Sequence, residues 1–175
     1  MLIKLDMANA FNQVKRPFLY KVLLSYWINP KFVNLIRACI EKPRIAPLVN
    51  VRPANSSQAT RGIRQGCPES PFLYILMADS LSRKPIAERN VEPIPGIRPT
   101  KENETVNHAL FVDDSLLLGG ASLRIARVFK EVIQNFCCIS GALVKKRKSV
   151  VYGWNTKECT IHKITRLLGF TRYAS

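Results

Sequence analysis

Leu2, Ile3 and Leu5 open the chain as a short apolar stretch that ends on Asp6, the pattern of a buried strand over 2–7. From 16 to 27 the period changes. Phe18, Leu19, Val22, Leu23 and Tyr26 fall on one face of a helix. Asn29-Pro30 breaks that pattern, and Phe32, Leu35, Ile36, Cys39 and Ile40 resume it up to Glu41. An apolar run predicts a strand over 45–51, followed by a turn over 53–57. Gly62, Gly66, Pro68 and Pro71 make 60–71 irregular, and a helix is expected from Ser70 or Pro71 to about 83. The stretch 85–107 is rich in proline and charge and reads as a loop with room for a short strand. Two apolar runs, 109–112 and 116–118, then flank Asp113-Asp114, a β-hairpin pattern with the acids at the turn. A helix is expected over 121–136, ended by Ser140-Gly141, with strands over 150–154 and 167–170. Neither a repeat nor a dividing linker is visible. Helices mixed with hairpin-like strands predict an α+β fold, an antiparallel sheet packed against helices.

Composition narrows the partners. The 175 residues, 47% of them apolar, are enough for one domain with a real core. Lys and Arg number 27 against 12 Asp and Glu, a net charge of +15. A fold does not need that excess; it suits a polyanion, nucleic acid before an anionic membrane. Lys4 and Asp6 come too early for a signal-peptide core, and the apolar runs 18–28 and 72–78 are too short or interrupted to span a bilayer. No membrane partner is expected, and the setting is intracellular, nuclear or cytoplasmic. Five cysteines without C-x-x-C spacing, and two histidines far from any cysteine pair, disfavour zinc and suit a reducing compartment.

Three carboxylates carry the candidate chemistry. Asp6 ends an apolar strand, and Asp113 and Asp114 sit at a hairpin tip. Singly, each has an equally good plain reading: Asp6 as a cap for the turn after it, Asp113-Asp114 as ordinary turn residues. Together they differ. Neighbouring strands can bring acidic tips side by side, and close like charges need a cation. Mg²⁺ is a hard cation that takes carboxylate and phosphate oxygens. Two such ions can clamp the attacking and leaving oxygens of a phosphoryl transfer. A basic chain with such a cluster is a candidate nucleotidyl transferase or nuclease.

Leu5-Asp6-Met7-Ala8-Asn9-Ala10-Phe11 resembles motif A of reverse transcriptases. Arg61-Gly62-Ile63-Arg64-Gln65-Gly66-Cys67-Pro68-Glu69-Ser70-Pro71 resembles motif B of the LINE-type (non-LTR) enzymes, RG-x-RQG-x-P-x-SP. Phe111-Val112-Asp113-Asp114 resembles the aromatic-x-Asp-Asp box of motif C. Ser140-Gly141 with Lys148-Ser149 resembles motif D, and Leu168-Gly169-Phe170 the start of motif E. The order and spacing match across nearly the whole chain, and motif B is the most specific signal.

The resemblance implies a polymerase palm with a ferredoxin-like core over 1–175, a single incomplete domain with fingers and thumb largely missing. It implies an RNA-directed DNA polymerase acting on an RNA template, a DNA primer and deoxynucleoside triphosphates, with two Mg²⁺ ions or Mn²⁺ in their place. Asp6 and Asp113 would hold both metals with help from the Met7 carbonyl, and Asp114 would complete the cluster. Phe11 would lie under the incoming sugar and leave no room for a 2′-hydroxyl; without motif A it would pass for a core aromatic. Gln65 and Gly66 would line the nucleotide pocket, or form a plain turn. Arg61 and Arg64 would contact phosphate, or stay solvated. Lys148 would protonate the leaving pyrophosphate, or be one more charge in Lys145-Lys146-Arg147-Lys148.

Departures from the pattern open a second reading. Asn12 stands where Asp is usual, Cys67 where Asp is frequent, Glu69 where Leu is frequent, and Lys145 where motif D usually has Asn. Met1 directly precedes motif A. These features suit a truncated copy, or a catalytically inactive relic or domesticated nucleic-acid-binding module.

Overall fold

The computed structural model describes residues 1–42, 44–81, 96–97, 106–111 and 114–173. The elements run β1 (Leu2–Asp6), α1 (Ala10–Gln13), α2 (Arg16–Ser25), α3 (Pro30–Glu41), β2 (Arg44–Ile45), β3 (Leu48–Val49), β4 (Arg52–Pro53), β5 (Ser57–Gln58), α4 (Ser70–Asp79), β6 (His108–Phe111), β7 (Asp114–Leu118), α5 (Leu123–Ser140), β8 (Val150–Tyr152), α6 (Glu158–Leu168) and β9 (Thr171–Arg172). The main sheet has the order β6-β7-β1-β8-β9. Its ladders are antiparallel except the parallel pair β8–β9, which α6 connects. The α+β expectation holds.

Strand β1 lies at the centre because it can be buried on one face and flanked on both edges. Ile3 and Leu5 are fully buried, while Leu2, Lys4 and Asp6 alternate onto a half-buried face. On the core side Ile3, Leu5, Leu117 and Val151 join one hydrophobic cluster with Leu19 and Leu23 of α2, Met77 of α4, Phe129 and Phe136 of α5, and Ile164 of α6. The helices thus cover one face of the sheet, and Asp6 lies on the other.

The helix signals over 16–27, 32–41 and 121–136 correspond to α2, α3 and α5. Asn29-Pro30 starts a helix rather than merely ending one: Pro30 occupies the first turn of α3, and the Asn29 side chain accepts a hydrogen bond from Lys31 N at 2.9 Å. Ser122 caps α5 by accepting from Ile125 N at 3.2 Å, and Gly141 ends that helix at φ 81°.

Two expectations are corrected. The strand over 45–51 is two short antiparallel pairs, β2–β5 and β3–β4, because Asn50 and Val51 take positive φ and turn the chain back. The strand over 167–170 is instead the end of α6. Ile161, Ile164, Thr165 and Leu168 are its buried face, at helical spacing, and Gly169 closes it in the left-handed conformation before β9. The loop over 85–107 lies mostly outside the described residues.

A hydrogen bond from Tyr20 Oη to Glu41 Oε1, 3.0 Å, joins α2 to the end of α3. Burial first, and then this bond, push the Tyr20 phenol up to about 12. The neutral phenol is therefore the form the fold favours. Its stabilisation is complete below the ordinary tyrosine value near 10 and is lost as pH rises through about 12. Chemical denaturation across that window should show a Tyr20-dependent loss of stability, and Tyr20→Phe should lack that component.

Candidate active site

The site begins at the end of β1. Asp6 is the direct register partner of Asp114, the first residue of β7. Opposed residues of an antiparallel ladder share a face, so the two carboxylates project from the same side of the sheet. Asp113, which precedes Asp114 in motif C, lies outside the described residues, as does Val112.

Two lysines of the same chain neutralise this pair. Lys4 Nζ lies 2.8 Å from Asp114 Oδ2, and Lys145 Nζ lies 2.8 Å from Asp6 Oδ1. Hydrogen bonding and opposite charge from Asp114 hold the Lys4 ammonium above the usual lysine range. Each described carboxylate thus already carries a cation, which is the charge a divalent ion would supply. Among the described residues no group of three or more His, Cys, Asp or Glu is placed to hold a metal ion; the two carboxylates facing one side of the sheet are hard oxygen donors of the type that suits a divalent cation.

Motif D reaches motif A through the backbone. Ala8 N donates to Leu143 O at 2.7 Å, Lys145 N donates to Asp6 O at 2.8 Å, and Met7 bridges Val144 antiparallel. The buried Ser149 completes the tie: its hydroxyl accepts from Asp6 N at 3.2 Å and donates to Lys145 O at 3.0 Å. Lys148 lies in the exposed turn after this segment, and Lys145 is the motif D residue in contact with Asp6.

Motif B meets motif A just as closely. Ile63 N donates to Phe11 O at 2.9 Å, and Gly62 N donates to Val14 O at 2.9 Å. The approach requires glycine. Gly62 sits at φ +81°, and a Cβ there would lie 2.8 Å from Asn12 O. Phe11 packs on the buried Tyr74 of α4 with ring centroids 5.2 Å apart. An open cavity of about 340 Å³ results, lined in part by Met7, Phe11, Gln65, Gly66 and Lys145. Arg61 and Arg64 are exposed and line a neighbouring cavity of about 560 Å³, which Gln65 also borders. The structure therefore pairs Asp6 with Asp114 and brings Met7, Phe11, Gln65 and Gly66 to one cavity, while Arg61 and Arg64 line the neighbouring cavity and Lys148 lies in an exposed turn.

A family model described as reverse transcriptase (RNA-dependent DNA polymerase) matches residues 1–171. This chain belongs to the reverse transcriptase family. An uncharacterised mitochondrial protein of Arabidopsis thaliana is 37% identical to it over 68 residues, 39% of this chain and 56% of that protein. A retrovirus-related Pol polyprotein from the type-1 retrotransposable element R2 of Popillia japonica is 26% identical over 152 residues, 85% of this chain and 20% of the polyprotein. The resemblance to LINE-type reverse transcriptases is thereby borne out. The apo telomerase of Candida tropicalis matches in fold, with a TM-score of 0.63 at 15% identity over 90% of this chain and 31% of that one. This reverse transcriptase domain spans about half of the first relative and a fifth of the second.

One residue that positions the site carries no sequence signal of its own. Arg16 reads as a charge at the start of α2, yet it is buried and holds the motif B segment. Its Nε donates to Gly62 O at 2.8 Å, Nη1 to Ala59 O at 2.7 Å and Nη2 to Arg61 O at 3.4 Å. Only its adjacency to motif A could have pointed to it. Arg16→Leu leaves three carbonyls without their charged donor and should destabilise the domain by about 2–4 kcal/mol. Arg16→Lys should recover only part of that, because one ammonium cannot reproduce the planar fork. Urea denaturation of the three proteins checks the order.

Proposed function

We propose that this domain is the palm of an RNA-directed DNA polymerase of a LINE-type retroelement, adding deoxynucleotides to a primer on an RNA template by two-metal-ion nucleotidyl transfer. The observation that carries the reading is the pairing of Asp6 with Asp114 beside the cavity lined by Phe11, Gln65 and Gly66. Acid cluster and nucleotide-sized cavity share one wall, formed by motif A.

In this mechanism Asp6 and Asp113, with the Met7 carbonyl, would hold the divalent ions, and Asp114 would add negative charge beside them. Mg²⁺, when bound, supplies the charge that stabilises the attacking 3′-oxygen and the leaving pyrophosphate. The chain's own contribution is placement. Gln65 and Gly66 line the pocket for the base and sugar, and the Gly66 backbone, at φ +81°, turns there. Phe11, whose ring packs on Tyr74 and whose backbone carbonyl accepts from Ile63 N, is assigned to exclude a 2′-hydroxyl from the incoming sugar. Lys148 is assigned to proton delivery at the leaving group, and Arg61 and Arg64 to phosphate contacts at the rim. Net charge of +15 supports a nucleic-acid partner. All five cysteines are free, which suits a reducing, intracellular setting, and among the described residues no helix is long and apolar enough to cross a membrane.

A second reading, an inactive nucleic-acid-binding module, draws support from Asn12 and from the lysines already paired with Asp6 and Asp114. Primer extension with Mg²⁺ on a primed RNA template separates the two. Under the polymerase reading the wild-type chain extends the primer, and Asp113→Ala reduces incorporation at least 100-fold, an effect on the scale of losing a major electrostatic contributor. Equal, negligible incorporation by both proteins selects the binding module. In an extending enzyme, Phe11→Ala should admit ribonucleotides, raising the ratio of ribo- to deoxynucleotide incorporation by about 10-fold or more. An unchanged ratio removes Phe11 as the sugar gate.

A further inference from the structure

Among the described residues, the cation paired with Asp6 is not the lysine that motif D points to. Lys145 Nζ sits 2.8 Å from Asp6 Oδ1, while Lys148 stands in the exposed turn beyond it. Lys145 also lines the cavity of about 340 Å³ that holds Phe11, Gln65 and Gly66. Its place there is set by the backbone. The Met7–Val144 bridge and the hydrogen bond from Lys145 N to Asp6 O lock residues 143–145 alongside 6–8.

We propose that Lys145 is a resident counter-ion of Asp6 that competes with the divalent ion for the carboxylate and, when displaced, turns into the adjoining cavity to meet the triphosphate of the incoming nucleotide. The inference rests on the reading of Asp6 as a metal ligand. Three facts of chemistry drive it. An ammonium and a divalent cation repel each other at one carboxylate, so the ion-paired state disfavours metal. Lysine is a compact charge on a flexible four-carbon stem, so the same residue can leave Asp6 without moving the backbone that anchors it. The cavity it borders is the space where a triphosphate would bring several negative charges. Metal and nucleotide are then linked through one side chain: each makes room for the other, and by reciprocity each raises the other's affinity. Asparagine at this position can do neither, since it carries no charge.

The test measures binding rather than turnover. Free Mn²⁺ is counted by electron paramagnetic resonance in titrations of wild type, Lys145→Asn, Lys145→Met, Lys146→Asn and Asp6→Asn. Binding of a fluorescent deoxynucleoside triphosphate is measured separately in EDTA. Both Lys145 variants should bind Mn²⁺ about two- to fivefold more tightly, the range expected for losing a half-exposed ion pair, and the nucleotide two- to fivefold more weakly. Lys146→Asn, an exposed charge of the same run, should shift neither by that amount. Opposite signs in one variant are not produced by a general loss of structure, and thermal melting of each protein checks that it is folded. Weakening of both ligands in the folded Lys145 variants, or no change in either, overturns the inference. If Asp6→Asn fails to weaken Mn²⁺ binding, the metal reading of Asp6 itself falls. If it weakens binding while the Lys145 variants match wild type, the metal reading stands and only the counter-ion role is lost.

Discussion

The register of β1 against β7 is the constraint on which the rest depends. Side chains alternate along a strand, so a slip of one residue would carry Asp6 to the helix-covered face and Leu5 outward. The burial of Ile3 and Leu5 against Leu117 and Val151 forbids that slip, because it would exchange apolar core for a buried carboxylate. The site's geometry is thus enforced by hydrophobic side chains that never touch it. β8 reinforces the register from the other edge, pairing Ile3 with Val151 and Lys4 with Val150.

Charge is arranged on two scales. Across the whole chain the excess is strongly positive. At the acidic edge it is balanced locally, lysine against carboxylate, with Lys4 on the same strand as Asp6 and Lys145 on a segment 139 residues further along the chain. A domain that gathers carboxylates on one sheet edge needs some such compensation to stay folded before any ion arrives. Lys4 provides it to Asp114 and Lys145 to Asp6.

Much of this was legible in the letters. The strand at Leu2–Asp6, the helices α2, α3 and α5 and the acidic hairpin follow from period and punctuation. The motif strings point to Phe11, Gln65 and Gly66 as one pocket, and the three line one cavity. What was not legible depends on distance in space. α6 was hidden because Thr165 occupies a core position, so its apolar stripe reads as broken, and the apolar Leu167-Leu168 near its end mimics a strand. Nothing in the run Lys145-Lys146-Arg147-Lys148 says which charge faces Asp6; only the bridge between Met7 and Val144 does. Arg16 is equally silent, since its three carbonyl partners lie more than forty residues away.

The central strand of the sheet is also the first to be made. As the ribosome delivers the chain, Ile3 and Leu5 emerge long before β7 and β8, the strands that flank them. Until those are translated, β1 has neither edge paired nor its apolar face covered by the sheet's own helix α5. Closing so long a loop is slow, and an unpaired apolar strand invites wrong partners meanwhile. In the interval between β1 and β7 the cover for that segment falls to the early helices α2 and α3, whose Leu19, Leu23 and Val33 share its hydrophobic cluster.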